Sequence, residues 1–293
     1  MSIHNSLPGI TFTTDVSNVN RTRSSHWSLK AQHSKPRGGP TKLGCGQGSN
    51  GDHLDPKLQS LIERIGDPEL QNRVVQLIAD PAINIDNRTY RGAAFDASPA
   101  AKRIHHAHPR GLLQHTVAAS KIALTLCDVV EEVYRSEVKR DVVIASMVLH
   151  DCMKPLTYTL RAGRGYGSSP LGEMVDHLTL VAAELIRRGF PLDVVHAVTA
   201  HHGRNGPIGP HTIEALICFL ADDTDANLAG QVSRAAEFLI RDCLDERPEQ
   251  LTTEEALAIV HAKQFDGCEG VRKAFETLVS DGHHPVESRR RFT

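Results

Sequence analysis

The sequence lacks an excess of charge of either sign, and it lacks long apolar runs. Lysine and arginine total 33 residues against 35 aspartates and glutamates, which gives a formal net charge of -2. A chain with this balance does not hold polyanions by bulk electrostatics, so any phosphate recognition must be local. No apolar run approaches the ~20 residues needed to cross a bilayer, and the N-terminus lacks the apolar core of a secretion signal. These absences predict a soluble protein with no membrane partner.

Cysteine pairs at short spacing are also lacking. The six cysteines are scattered, with no C-x-x-C pair, and their spacing matches neither a small-domain disulfide framework nor a zinc site. This usage predicts a reducing, cytoplasmic environment. The cysteines are Cys45, Cys127, Cys152, Cys218, Cys243 and Cys268.

Aromatic residues are few, with one Trp and four Tyr, whereas histidine occurs 17 times, often in pairs or near acidic residues. Histidine is the commonest metal ligand, so the placement of these residues is the main functional signal. With 293 residues and 40% hydrophobic content, the chain can bury one good core. Length alone permits one large domain or two small ones, and we expect one.

Residues 1–54 are predicted to form a flexible tail. The segment is rich in Ser, Thr, Gly, Asn and Pro, and no acidic residue occurs between Asp15 and Asp52. Such a composition favours disorder over a packed core. An organelle transit peptide and a wrongly assigned start codon both remain open as explanations of this segment.

The remainder, residues 55–293, is predicted to be a single all-α domain. Asp55-Pro56 and Asp67-Pro68 each combine an N-cap with proline at the first helical position, and Thr252 with Glu255 has the spacing of a capping box. No stretch shows a convincing alternating pattern typical of a strand. Later helices are predicted over residues 111–135, 141–152, 171–188, 192–202, 211–224, 230–244, 252–264 and 270–280.

Histidine or aspartate recurs at inward-facing positions at or near the ends of five of these apolar helices. A single histidine on an apolar face is more often a hydrogen-bonded core residue, and a lone buried aspartate costs several kcal/mol unless it is paired. Five unrelated cases would need five sets of partners, whereas one shared cation satisfies all of them. The residues are His115, His150, Asp151, His177, His201, His202 and Asp222.

The apolar stripes also predict which neighbours share the inward faces. Val133 continues the stripe of His115, and Asp141 is predicted to cap the helix that leads to His150. Met174 is predicted to share one inward face with His177.

The donor set consists of imidazole nitrogens and carboxylate oxygens without thiolate. It suits Fe, Mn, Co, Ni or Zn in an open hydrolytic site better than structural zinc. Cys152, beside the aspartate of the doublet, is predicted to point into the core. Seven candidate ligands exceed what one catalytic ion uses, so two ions ~3.5–4 Å apart are an alternative to one.

The motif resembles that of the HD superfamily of metal-dependent phosphohydrolases, whose pattern is a histidine, a His-Asp doublet and a distant aspartate. A longer string resembles the HD domain of 3′→5′ exoribonucleases that carry an OB-fold ahead of it, and it covers about residues 55–230. The resemblance implies a motif core over 99–226 and a C-terminal helical extension over 230–293. The string comprises Pro99-Ala100-Ala101, His105-His106-Ala107, Gly111 to Thr116, Leu149-His150-Asp151, Lys154, His201-His202-Gly203 and Ala221-Asp222.

The resemblance also implies roles for these residues. Asp151 and Lys154 are the implied catalytic residues, and Lys154 would face the substrate phosphate and stabilise its developing charge. On its own, Lys154 could equally be an ordinary cation at a helix C-terminus. The implied core ligands are His115, His150, Asp151 and Asp222, and the implied ligands of a second ion are His177, His201 and His202.

The chain departs from the exoribonucleases in two ways. No OB-fold pattern precedes residue 55, so the RNA-gripping module is expected to be absent, and Met153 stands where many relatives have glycine. A leaner relative that this sequence resembles is the archaeal, iron-dependent phosphodiesterase that opens the cyclic phosphate of dihydroneopterin. Fe or Mn is therefore the favoured cofactor, with Zn, Co and Ni as alternatives.

Several residues near the doublet and the first ligand helix are candidates, with Lys154, for contacting the ester or the group attached to it. For each arginine, the alternative is an ordinary solvated loop residue. The candidates are His105, His106, Arg110, Arg161, Arg164 and Tyr166.

The sequence thus predicts a metal-dependent phosphodiesterase that acts on a small nucleotide-like or cyclic-phosphate ester. One alternative is a 3′→5′ exoribonuclease-like nuclease, for which nucleic acid would be the partner. The other is a non-catalytic module that binds a nucleotide or a metal. The oligomeric state is left open.

Overall fold

The computed structural model describes residues 54–161, 165–248 and 250–280, and helices dominate this part of the chain, as predicted. The predictions for the tail before residue 54 and for the end after residue 280 lie outside the described residues. The helices are α1 (Pro56–Ile62), α2 (Pro68–Ala79), α3 (Gly111–Asp128), α4 (Arg140–Leu149), α5 (Lys154–Thr157), α6 (His177–Arg187), α7 (Leu192–Thr199), α8 (Ile213–Leu244) and α9 (Thr253–Ser280).

The predicted helix starts are confirmed by their side-chain caps. Asp55 and Asp67 each accept a hydrogen bond of 2.9 Å from the backbone N–H two residues later. In the capping box, Thr252 N donates to Glu255 Oε2 at 2.7 Å and Glu255 N donates to Thr252 Oγ1 at 3.2 Å. These bonds satisfy backbone N–H groups that the first turn of a helix leaves unpaired.

The central helix of the fold is α4. Every side chain from Val142 to Leu149 is buried, and α4 packs against α1, α2, α3, α7 and α8. A helix that is apolar on all sides can be stable only when it is surrounded in this way. Its C-terminal end therefore delivers the residues that follow, His150 and Asp151, into the interior of the protein.

The predicted role of Asp141 as the cap of α4 is wrong. Asp141 lies within the first turn of α4, and its carboxylate accepts hydrogen bonds from Gly66 N at 3.0 Å and Asp67 N at 2.8 Å. The side chain thus ties the turn between α1 and α2 to the helix that carries the His-Asp doublet.

The predicted inward positions of Met174 and Val133 are also wrong. Met174 is 84% exposed because α6 begins only at His177 and the residues before it form a turn. Val133 is 66% exposed because α3 gives way after Asp128 to a π-helical turn, Val129–Val133. The wider turn moves side chains off the α-helical stripe on which the prediction was based.

One of the two C-terminal helices is longer than predicted. α8 runs without a break through the two predicted helices 211–224 and 230–244. α9 is interrupted at Gly267, where φ is 63°, and this break separates the two predicted helices 252–264 and 270–280. Glycine adopts this left-handed conformation without the steric cost that a Cβ would impose.

Two short antiparallel hairpins were not predicted, although the fold remains mostly helical. β1 (Ala82–Ile85) pairs with β2 (Arg88–Arg91) through Asp86 and Asn87, whose φ values of 49° and 60° are typical of a type I′ turn. β3 (Tyr158–Arg161) pairs with β4 (Gly165–Ser168) just after the doublet. Strands of four residues are too short for a reliable alternating pattern.

The structure joins Cys243 of α8 to Cys268 of α9 by a disulfide, which the scattered spacing did not predict. Their Cα atoms are 5.3 Å apart, a distance typical of disulfides. The 25-residue separation along the chain carries no signal, because the pairing depends on how α8 and α9 pack. Cys127 and Cys218 are buried free thiols, and Cys152 lies in the core as predicted.

Among the helices of the described residues, none combines the length and the apolar character that a membrane span requires.

We expect Asp141→Asn to lower the free energy of unfolding by about 1 kcal/mol, because the amide can accept only one of the two backbone hydrogen bonds. Urea unfolding monitored by circular dichroism would measure this change. Asp223→Asn is the matched control, since Asp223 is exposed on α8. Equal stability of the two variants would show that the tie between α4 and the α1–α2 turn contributes nothing.

Candidate metal centre

The His-Asp doublet follows directly after α4. His150 is fully buried, and its Nδ1 donates a hydrogen bond of 2.7 Å to Met147 O in the last turn of the helix. Asp151 is 1% exposed. This arrangement satisfies a carbonyl that the helix end would otherwise leave unpaired, and it turns His150 Nε2 toward the cluster.

The histidine pair after α7 repeats this geometry. His201 is fully buried, and its Nδ1 donates to Val198 O at 2.6 Å. His202 packs against it with ring centroids 4.1 Å apart. A neutral imidazole that donates from Nδ1 carries a lone pair on Nε2, so His201 is prepared to act as a ligand through Nε2.

The remaining candidate ligands come from α3, α6 and α8. His115 is fully buried on α3, and Asp222 stands on α8 with its side chain 15% exposed. His177 is the first residue of α6, where Asp176 caps the helix by accepting a hydrogen bond from Thr179 N at 2.8 Å. All three were predicted from the sequence to lie at inward positions.

The structure brings all seven predicted ligands together in one cluster. His115 Nε2 lies 3.0 Å from Asp222 Oδ1 and 3.2 Å from His150 Nε2, and His150 Nε2 lies 3.2 Å from Asp151 Oδ2. His177 Nε2 lies 3.3 Å from Asp151 Oδ1, and its ring packs 5.2 Å from that of His202. Residues from five different helical segments therefore converge on Asp151.

Several polar atoms at the centre of the cluster are buried and lack hydrogen-bond partners among the described residues. They are both carboxylate oxygens of Asp151, His177 Nε2 and His201 Nε2. Each unpaired buried polar atom costs about 1–3 kcal/mol. Lone pairs on nitrogen and oxygen that face one another need a positive charge between them, so the chemistry of the donor set fits a divalent cation.

The pKa values show that the carboxylates attract positive charge. Burial acts to lower the pKa of His150, but the Asp151 and Asp222 carboxylates outweigh it and raise the pKa to about 10. Burial acts to raise the pKa of Asp151, but Lys154 and His150 outweigh it and hold the pKa well below its usual range. The pKa of His201 lies well below its ordinary value, because burial and the nearby His150 disfavour its charged form.

The cluster divides into two groups of donor atoms that share Asp151. One oxygen, Oδ2, lies near His115 and His150, whereas Oδ1 faces His177 and His201. Groups with atoms close enough to hold an ion include His115 with His150 and Asp222, and His177 with His201 and His202. A carboxylate shared in this way would suit a site that holds two metal ions.

Lys154 lies at the edge of the cluster, in α5. Its side chain is buried, and Nζ forms an ion pair with Asp151 Oδ2 at 2.5 Å. Burial acts to lower the pKa of Lys154, but Asp151 outweighs it and raises the pKa. The residue is therefore held as a cation beside the candidate ligands. The sequence also allowed an ordinary cation at a helix end, but the ion pair with Asp151 goes beyond that interpretation.

The two predicted substrate-contacting histidines occupy different positions. His105 packs against His115 with ring centroids 5.2 Å apart, and its buried Nδ1 has no hydrogen-bond partner among the described residues. Burial, His115 and Lys154 lower the pKa of His105 to about 3, so it stays neutral. His106 is only 3% exposed, and its Nε2 donates a hydrogen bond to Asp225, so this side of the ring packs behind His115.

The other predicted substrate contacts have different neighbours in the structure or lie outside the described residues. Arg110 forms ion pairs with Asp55 at 2.8 Å and Asp96 at 3.6 Å, and its guanidinium is 58% exposed. Arg161 folds over its own hairpin, and Tyr166 on β4 lines a separate cavity with Pro155 and Leu160. Arg164 lies outside the described residues.

Asp225 and Tyr158 were not predicted from the sequence. Asp225 is buried one helical turn after Asp222 on α8, and its Oδ2 lies 2.7 Å from His115 Nδ1. That spacing places both aspartates on one helix face, which was an available signal. Burial raises the pKa of Tyr158 and the charge of Lys154 lowers it, with a net rise, but no motif marked this residue.

Comparison with known proteins agrees with this geometry. The model of the HD domain family matches residues 112–227, a range that contains all seven candidate ligands. No solved structure matches the chain.

The chain is also similar to curated proteins. It is 37% identical over 186 residues to the dihydroneopterin 2′,3′-cyclic phosphate phosphodiesterase of Methanocaldococcus jannaschii, which covers 64% of this chain and 74% of that protein. It is 28% identical over 163 residues to the 3′-5′ exoribonuclease YhaM of Shouchella clausii, covering 49% of this chain and 46% of that enzyme. The YhaM enzyme of Listeria monocytogenes is 28% identical over 179 residues, and the chain spans 51% of its length.

We expect Asp151→Asn to lose most bound metal, because both groups of donors use this carboxylate. His202→Gln should retain more metal than Asp151→Asn, since His202 belongs to one group only. Metal content after loading with Mn²⁺ can be measured by plasma mass spectrometry. His196→Gln is the control, because His196 stacks on His211 outside the cluster. Wild-type metal content in Asp151→Asn would contradict the assignment.

Proposed function

Because this chain belongs to the HD-domain family of metal-dependent phosphohydrolases, we propose that it is a phosphodiesterase that opens a small cyclic phosphate ester. Dihydroneopterin 2′,3′-cyclic phosphate is the first candidate substrate. The observation that carries the proposal is the convergence of seven nitrogen and oxygen donors around Asp151, with the cation of Lys154 beside them. The similarity to the M. jannaschii enzyme names the substrate to test first.

The proposed cofactor is one or two divalent transition-metal ions, with Fe or Mn favoured over Zn, Co and Ni. Imidazole and carboxylate ligands without thiolate suit these ions. His115, His150, Asp151 and Asp222 would hold the first ion. The ligands of a second ion would be His177, His201 and His202, together with Oδ1 of Asp151. When bound, such an ion lowers the pKa of water toward neutrality and polarises phosphate oxygens.

Lys154 and His105 have complementary roles in this proposal. The Lys154 ammonium, held by Asp151, neutralises charge that develops on a non-bridging phosphate oxygen. His105 has a neutral imidazole with an unpaired Nδ1 next to His115, so it can form a hydrogen bond to the ester. His177, His202 and Asp222 are the partly exposed members of the cluster, so the phosphate reaches the cluster from their side.

A cavity of about 390 Å³ adjoins His105 and suits the group attached to the phosphate. Residues 102–107 line one wall, and Ser233, Glu237 and Gln250 line the other. This volume lies within the usual range for ligand pockets, roughly 300–1,000 Å³. The Glu237 carboxylate can accept hydrogen bonds from adjacent ring N–H and amino groups, which a pterin presents.

A second candidate is a 3′→5′ exoribonuclease, and the similarity to YhaM enzymes favours it. Those matches span only about half of each enzyme. A nuclease must also grip a polyanionic strand along its length, whereas this chain carries a net charge of -2. We therefore rank the small cyclic ester ahead of RNA.

We expect anaerobically purified protein with Fe²⁺ or Mn²⁺ to open dihydroneopterin 2′,3′-cyclic phosphate faster than 2′,3′-cyclic nucleotides or short RNA. Product formation would be followed by chromatography, with His150→Ala as the inactive control. Faster release of nucleotides from RNA would favour the exoribonuclease. No turnover of any substrate by metal-loaded protein would favour a non-catalytic binding module and would refute the proposal.

We expect Lys154→Gln to reduce kcat by about 10²–10³-fold while metal content stays high, because the ammonium acts on charge that develops during the reaction. Steady-state kinetics on the cyclic ester and metal analysis of the same samples would test this. Lys121→Gln, at an exposed position of α3, is the matched control. An unchanged kcat in Lys154→Gln would remove this residue from the catalytic machinery.

A further inference from the structure

His115 differs from the other fully buried ligand histidines in the partner of its Nδ1. His150 and His201 donate from Nδ1 to neutral backbone carbonyls, at 2.7 Å and 2.6 Å. His115 Nδ1 instead lies 2.7 Å from the carboxylate oxygen Oδ2 of Asp225. A charged acceptor makes a stronger hydrogen bond than a neutral one, so His115 has the firmest partner of the three.

Asp225 keeps a proton on Nδ1 of His115. An ionised carboxylate can only accept hydrogen bonds, so His115 must present Nδ1–H to it. The other ring nitrogen, Nε2, lies 3.0 Å from Asp222 Oδ1 and 3.2 Å from His150 Nε2, so it is the nitrogen that faces the candidate metal centre. Asp225 is 5% exposed, so water does not compete with this bond.

His106 is the second donor to the same oxygen. Its Nε2 lies 2.9 Å from Asp225 Oδ2, and its ring is 3% exposed. The other ring nitrogen, Nδ1, lies 3.2 Å from Gln114 Oε1 and 3.3 Å from Thr253 Oγ1. Thr253 is the first residue of α9 and lies beyond residues 112–227, the range that matches the HD-domain model.

The backbone around His106 is built to hold this position. His106 has a φ of 45°, and its carbonyl accepts a hydrogen bond from Ala100 N at 3.1 Å. The same carbonyl packs on Gly111, where an added Cβ would lie 2.0 Å from the oxygen. Glycine at the start of α3 therefore leaves room for the loop that places His106 against Asp225.

We propose that Asp225 is a positioning residue, which acts with His106 to hold His115 with Nε2 toward the metal centre. We call the hydrogen-bonded chain His106–Asp225–His115 the relay, and Thr253 connects it to the C-terminal helix. The inference rests on the proposed metal centre but not on the identity of the substrate. Through Thr253, the C-terminal helical extension would contribute to the geometry of the metal site. Partners of this kind typically change metal affinity 10–100-fold when they are removed.

The first test measures metal affinity of the full-length protein by competition between the protein and a fluorescent chelator for Mn²⁺ or Zn²⁺ alone. We expect Asp225→Asn to weaken binding 10–100-fold, because a neutral amide no longer favours the Nδ1–H form of His115. Asp223→Asn, an exposed aspartate of the same helix, should bind within about twofold of wild type. Equal affinity of the two variants would overturn the proposal.

A double-mutant cycle tests whether His106 acts through Asp225. His106→Gln alone should weaken metal binding by up to about tenfold, and adding it to Asp225→Asn should cause little further loss. Thr253→Val should weaken binding in the same direction as His106→Gln. Independent, additive losses for His106→Gln and Asp225→Asn would overturn the relay.

The proton position can be read without any variant. In metal-free wild-type protein, ¹⁵N chemical shifts of the His115 imidazole should show a protonated Nδ1, and an unprotonated Nδ1 would overturn the proposal. This measurement stands even if Asp225→Asn fails to fold. Failure of wild-type protein to bind any metal would count against the proposed function, whereas the shift of His115 would still test the relay.

Discussion

A carboxylate that is buried without water or a positive partner is too costly to persist in its charged form, and Asp151 is only 1% exposed at the centre of the fold. In this chain, imidazoles from three helical segments and the Lys154 ammonium surround Asp151 and stabilise its charge. Even so, both of its oxygens lack hydrogen-bond partners among the described residues. The packing of the bundle thus buries donor atoms that a further positive charge would stabilise. Proteins of the HD-domain family bind a divalent metal, which would provide this charge.

The ends of α4 and α7 fix the orientation of two histidines in the cluster. Backbone carbonyls in the last turns of α4 and α7 have no partner within their own helices. His150 and His201, three residues further along the chain, each donate a hydrogen bond from Nδ1 to one of these carbonyls. A single hydrogen bond therefore completes the helix and selects the imidazole nitrogen that faces the centre. His115 sits in mid-helix, where backbone carbonyls are already used, so it takes its partner from the side chain of Asp225 on α8. This difference separates His115 from His150 and His201, whose Nδ1 partners lie only three residues away along the chain.

The separation between metal chemistry and substrate choice also follows from the fold. Asp151 and the other candidate ligands lie on helices of the core or directly after them, whereas the cavity beside His105 is lined by a loop, by α8 and by the segment before α9. Relatives that share the metal centre can therefore act on different esters. The similarity to both a cyclic phosphate phosphodiesterase and exoribonucleases is consistent with this division.

The sequence by itself determined the mostly helical fold, the helix caps at Asp55 and Asp67, and the inward placement of the histidines and aspartates. Each of these depends on local periodicity or on a residue's own backbone, which a linear pattern records. Tertiary structure decided that Asp141 ties two helices together, that Cys243 meets Cys268, and that Asp225 joins His106 to His115. These contacts link residues 25 to 119 positions apart, so they exist only once the helices have packed.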